Sequence, residues 1–139
     1  PRAAASRLGG AAAGGGRLAR SVFRPGGGGQ PVDHGWLRGE GGAAWQANGA
    51  RKAGVEVCHL IDGELPAVGT PVTAEIDWDR RHALMRTHSA LHVLCGVDWR
   101  DYGAQVTGGN MAPGGGRMDF AVERMSGALA HAHRSRANA

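Results

Sequence analysis

Glycine restricts this chain more than any other feature. It fills 25 of 139 positions, against roughly 7% in average proteins, and it comes in runs at 9–10, 14–16, 26–29, 41–42, 108–109 and 114–116. Such runs break helices and open turns. A plain helix bundle is excluded, and much of the chain is expected as loop. The length suits one domain, or one and a half small ones. Aromatic residues are only 5% of the chain, so a core must be built from Ala, Val and Leu. The longest apolar stretch, residues 90–97, is interrupted by His92. It falls far short of the ~20 residues of a membrane span, and the N-terminus lacks the continuous apolar segment of a signal peptide. Cys58 and Cys95 make no disulfide framework, which fits a reducing cytoplasm.

The net charge of +4 hides a split. Residues 1–32 carry five arginines and no acid, 124–139 carry three arginines, and the stretch between them is net acidic. The basicity therefore belongs to the two ends, and net charge alone does not define a nucleic-acid surface.

Residues 1–19 read as a flexible low-complexity tail, because the glycine runs interrupt its alanines. Residues 21–23 read as a short strand ended by Pro25 and the glycines, with extended chain at Gln30 and Pro31. Residues 36–54 read as loop. Two segments then alternate with strand period: Val55, Val57, His59 and Ile61 on one face, and Val72, Ala74, Ile76 and Trp78 on another. Residues 20–78 are thus expected as a small antiparallel β unit. At Asp79 the period changes. Residues 79–97 predict a helix, with Asp79 as N-cap and Gly96 as stop, and with Leu84, His88, Leu91, His92 and Cys95 on one stripe. Arg86, Ser89 and His82 lie opposite. Residues 103–116 are glycine-rich, 117–122 read as a strand, and 123–139 as a frayed helix or tail.

Two features carry chemistry. His88 and His92 form H-x-x-x-H, which puts two imidazoles one helical turn apart, within reach of one metal. The same spacing fits two histidines satisfied by hydrogen bonds at the edge of a core. Ser89 stands where a zinc protease carries its glutamate, so that class is unsupported. Zinc needs three or four protein ligands. Cys95 shares the stripe, but one helix rarely supplies three tetrahedral ligands, and core packing suits it better. Cys58 and His59 point to opposite faces of a strand, so only one could join a site. The second feature is the run Gly26–Gln30. Glycines let backbone N–H groups approach a ligand, but no G-K-[ST] follows, so this is not a Walker A loop. An ordinary turn has the same sequence.

Taken in order, these stretches resemble a family. SVFRPGGGGQPVDHG at 21–35 is similar to the GGGQ–P–D–G signature of alanyl-tRNA synthetase editing domains and their free-standing AlaX-type relatives. VCHLIDGELPAVGTPVTAEIDW at 57–78 resembles the family's V-x-H…D-W stretch. DRRHALMRTHSALHVLCG at 79–96 resembles its M-R-x-H-T/S-A-x-H helix, and Arg117, Asp119 and Phe120 match its R-x-D-F strand. The resemblance covers residues 20–122 and favours a metal on His88 and His92. It implies an α+β fold: a small antiparallel β-barrel, here residues 20–78, then part of an α/β editing domain, 79–122, with a metal-bearing helix packed on an antiparallel sheet. Residues 123–139 would follow as a C-terminal tail.

The implied activity is hydrolysis of the ester joining serine or glycine to tRNA(Ala), with zinc as cofactor and the tRNA acceptor end as partner. The implied site is Gln30 with Gly28 and Gly29 for catalysis, His88 and His92 for metal, and Gly27 and Arg86 for substrate. Two departures stand out. The family's later Cys-x-x-x-His ligands are absent, which suggests a truncated, frame-shifted or split member completed by a C-terminal partner segment. Gly26 and Arg24 replace a hydroxyl or acidic residue and a tyrosine. The rival expectation is a non-catalytic nucleic-acid-binding or interaction fragment.

Overall fold

The computed structural model describes residues 3–12, 15–121 and 126–138. The chain divides into two compact units, Pro1–His82 and Ala83–Ala139. Its elements are β1 (Ala3–Ala12), β2 (Gly15–Leu18), β3 (Gly35–Arg38), a 3-10 turn (Glu40–Gly42), β4 (Ala44–Ala53), β5 (Glu56–Ile61), β6 (Pro71–Ile76), α1 (Trp78–Tyr102), β7 (Val106–Ala112), β8 (Gly115–Phe120) and α2 (Gly127–Ala137). Helix α1 begins in the first unit and runs through the second.

In the first unit, six strands among the described residues close an antiparallel barrel in the order β1-β2-β5-β4-β3-β6. Val72, Ala74 and Ile76 point inward from β6, as their alternation predicts, and meet Leu37, Ala47, Ala50, Ile61 and Phe23. Alanine supplies Ala47, Ala50 and Ala74 of this cluster, and the branched aliphatics Leu37, Ile61, Val72 and Ile76 supply most of the rest, with Phe23 the buried aromatic.

The barrel overturns the reading of residues 1–19 as a flexible tail. β1 pairs with β2 and with β6, and Leu8 is only 2% exposed. A ladder uses backbone N–H and C=O groups, which alanine and glycine carry like any residue. Here the glycines permit close approach. A Cβ at Gly16 would come within 3.3 Å of the Ile61 side chain, and one at Gly35 would overlap the Glu75 carbonyl. The basicity of the N-terminus is accordingly carried partly by the barrel: Arg17 of β2 pairs with Glu56 at 2.6 Å.

Residues 36–54, expected as loop, form most of β3 and all of β4. A register shift between Ala47 and Gly49 disrupts the two-residue alternation, so Ala47 and Ala50 both face the core. Residues 21–23, expected as a strand, join no ladder.

The second unit holds the rest of α1, the β7–β8 hairpin and α2. Leu84, Thr87 and Val97 are the buried positions of α1, together with Asp98. Thr87 accepts the N–H of Gly114 at 3.1 Å, which ties the helix to the hairpin. A Cβ at Gly116 would come within 3.0 Å of Leu91, so glycine there leaves room for the leucine. Arg136 of α2 reaches Asp101 at 2.9 Å and lies over the Tyr102 ring. The fold is therefore α+β, a closed barrel followed by a helix with a two-stranded antiparallel sheet.

Three boundaries differ from expectation. The N-cap is Asp77, whose Oδ1 accepts the Arg80 N–H at 3.0 Å, so Asp79 lies inside the helix. Gly96 does not stop α1, which continues to Tyr102; its cost of about 1 kcal/mol is small beside the packing of a long helix. The glycines at 108–109 and 115–116 lie within β7 and β8, and Val122 is outside the described residues. Among the described residues, no helix is long and apolar enough to cross a membrane.

Candidate functional site

The glycine run folds as a miniature hairpin. Gly26, Gly27, Gly28 and Gly29 all take positive φ (79°, 114°, 62° and 80°), a region costly to other residues. Gly27 and Gln30 exchange backbone hydrogen bonds at 3.0 and 3.3 Å. One step outward, the Asp33 N–H donates to the Arg24 carbonyl at 3.1 Å, and the Arg24 N–H donates to the Asp33 carboxylate at 2.6 Å. Gln30 is 3% exposed. The Arg24 guanidinium lies along the loop, donating to the Gly27 carbonyl at 3.0 Å and to Gln30 Oε1 at 3.4 Å.

Asp33 is almost completely buried and is gripped by Arg81 of α1. Arg81 Nε donates to Oδ1 at 2.7 Å, and Nη2 donates both to Oδ2 and to the Val22 carbonyl, the last at 3.1 Å. The bond to Asp33 raises the Arg81 pKa above its ordinary value.

A second buried cluster lies in the same unit. His59 of β5 is fully buried, its ring edge-on to Phe23 at 5.1 Å. Nδ1 faces the Gly16 carbonyl at 3.2 Å, and a carbonyl can only accept, so Nδ1 carries the hydrogen. Nε2 then accepts from the Ser21 hydroxyl at 2.7 Å, while Ser21 Oγ accepts the Phe23 N–H at 3.0 Å. Burial lowers the His59 pKa below the ordinary value, only partly opposed by the bond to Gly16.

In the second unit, α1 brings His88 and His92 together. Their rings stack 4.8 Å apart at 23°, with the two Nε2 atoms 3.1 Å from each other. Two imidazoles bound tetrahedrally at ~2.05 Å would hold their nitrogens about 3.3 Å apart, so the pair fits two corners of a zinc shell. Among the described residues, no group of three or more His, Cys, Asp and Glu is placed to hold a metal. Cys95 is half-buried, and burial followed by nearby Asp98 raises its pKa, which disfavours the thiolate a metal requires. Arg86 is exposed. His131 is exposed on α2, and the His133 side chain lies outside the described residues.

Gly27–Gln30 thus form one loop, and His88 with His92 one donor pair. Asp33 with Arg81 and Ser21 with His59 were not anticipated as functional residues. Their pairings span 48 and 38 positions. The one local signal was an acidic residue three positions after Gln30, inside the loop motif.

No protein-family model matches the chain. It is 41% identical over 111 residues to the alanyl-tRNA editing protein AlaX-M of Methanosarcina barkeri, covering 76% of this chain and 46% of that protein. It is 38% identical over 109 residues to AlaX-M of Saccharolobus solfataricus, with the same shares. To the alanine–tRNA ligase of Pyrobaculum aerophilum it is 46% identical over 77 residues, 55% of this chain and 8% of the ligase. The chain spans about half the length of the editing proteins it matches. Over 76% of its length, the chain is by sequence a relative of the AlaX-type alanyl-tRNA editing proteins.

Proposed function

We propose that this chain is the part of an aminoacyl-tRNA editing hydrolase that carries the glycine loop and the first two metal ligands, acting on Ser- or Gly-tRNA(Ala). The observation that supports it best is the glycine loop, folded around a buried Gln30 in a relative of editing proteins. Hydrolysis of an ester places negative charge on the carbonyl oxygen in the transition state. Left-handed glycines can turn backbone N–H groups toward such an oxygen without side-chain obstruction. In this reading Gly28 and Gly29 supply those donors, Gln30 orients the aminoacyl group through its carboxamide, and Gly27 and Arg86 contact the acceptor end of the tRNA. Arg24, lying on the same loop, adds a positive charge suited to a phosphate. Zinc held by His88 and His92 would supply Lewis-acid polarisation of the ester. A C-terminal segment with a Cys-x-x-x-His pair would complete the shell.

The test is release of labelled serine from mischarged tRNA(Ala), by the 139-residue chain alone and with such a segment added. Little or no turnover is expected alone, because a misplacement of about 1 Å costs ~100-fold. Restored turnover that disappears in Gln30→Ala or His92→Ala supports the reading. No turnover in the completed protein favours a non-catalytic nucleic-acid-binding or interaction fragment.

A further inference from the structure

Four left-handed glycines in a row are costly to order, since glycine loses more conformational freedom on ordering than any other residue. Something outside the loop must hold it. Its two ends are gathered by one side chain: Arg81 donates to the Val22 carbonyl on the segment entering the loop and to both Asp33 oxygens on the segment leaving it. Asp33 passes the constraint on by accepting the Arg24 N–H, at the base of the glycine turn. Arg80 adds a bond to the Val32 carbonyl at 3.4 Å. Both arginines lie in the first turn of α1, which Asp77 caps.

We infer that Arg81 and Asp33 are positioning residues for the glycine loop: without touching substrate, they hold Gly27–Gln30 in the conformation that works on the ester. The functional half of this inference rests on the reading of the loop as the substrate site. The geometry explains the residue types. A planar guanidinium makes two bonds to a carboxylate and a third to a carbonyl at once, which an ammonium cannot do in the same arrangement. Asparagine at 33 would keep the shape but lose the charge, and would place an amide where only an acceptor fits.

The experiment is amide hydrogen exchange on the 139-residue chain, comparing wild type with Arg81→Lys and Asp33→Asn. Lysine keeps a positive charge at the site, so it is the variant expected to fold. Peptides covering 24–33 should exchange at least tenfold faster in both variants, while peptides covering β4 and β5 stay unchanged. Unchanged exchange at 24–33 overturns the inference. So does exchange that rises equally throughout the barrel, since that is a general stabilising role. In whichever form of the chain deacylates, kcat should fall at least tenfold in Arg81→Lys with KM little altered, and normal kcat would overturn the functional half. Failure of the wild-type chain to deacylate in any form strikes at the proposed function instead, and the exchange comparison still decides whether the pair holds the loop.

Discussion

Ser21 donates its hydroxyl hydrogen to Nε2 of His59 at 2.7 Å, and that bond requires a neutral imidazole. Burial keeps it neutral by lowering the His59 pKa below its ordinary value. The unfolded histidine titrates near 6.5. Below about pH 6.5 the unfolded chain binds a proton that the folded chain refuses, so stability is full above that pH and falls as pH drops toward the folded pKa. His34 shifts the same way, through burial first and Arg80 second. Urea midpoints should therefore fall between pH 7.5 and 5.5, with part of the slope removed in His59→Gln and more in the double variant with His34→Gln. An unaltered slope in the double variant would assign the dependence to other groups. His59→Gln should itself cost about 1–3 kcal/mol at pH 7.5, the range for disturbing a buried hydrogen-bonded group.

Zinc should bind the chain weakly and below one equivalent. Two imidazole nitrogens 3.1 Å apart fill only half a tetrahedral shell. Equilibrium dialysis against zinc, followed by metal analysis, should show His88→Ala without measurable zinc. Metal retained in that variant would move the site elsewhere.

Two glycines should respond very differently to alanine. At Gly41 φ is 64° and nothing lies within 4 Å of an added Cβ, so only left-handed strain of about 1–2 kcal/mol is expected. At Gly35 the Cβ would overlap the Glu75 carbonyl and lie 2.8 Å from the Ile76 Cα, where β3 pairs with β6. Overpacking against backbone costs about 1–3 kcal/mol or more. Thermal unfolding should rank Gly35→Ala below Gly41→Ala, and equal midpoints would contradict this β3–β6 register.

Deleting residues 1–12 should abolish cooperative unfolding. It removes β1, leaves β2 and β6 with unpaired edges and uncovers the space Leu8 fills. A shortened chain with an unchanged urea midpoint would mean that the barrel does not depend on β1.

The legible parts of this molecule had local signals. Val72, Ala74 and Ile76 alternated, and α1 announced itself through a change of period at the end of β6. The glycine loop and the His88–His92 pair were also visible, because each lies within five residues of sequence. What escaped was non-local. β1 has the composition of a flexible segment and becomes a strand because β2 and β6 lie on either side. β4 lost its alternation to a register shift. Arg81 was one of several arginines until Asp33 was seen beside it, and neither neighbourhood in sequence points to the other.

Barrel closure also dictates an order of assembly. Ala3 pairs with Glu75, so the barrel's earliest strand in chain order is completed by its last. β1 can form a ribbon with β2 early, but its other edge stays open until residues 71–76 have been synthesised. Contacts so distant in sequence slow folding, and an open edge invites association with other chains. The composition of Ala3–Ala12 meets that exposure: one leucine among alanines and glycines, with a serine and an arginine, is a poor seed for aggregation while the strand waits.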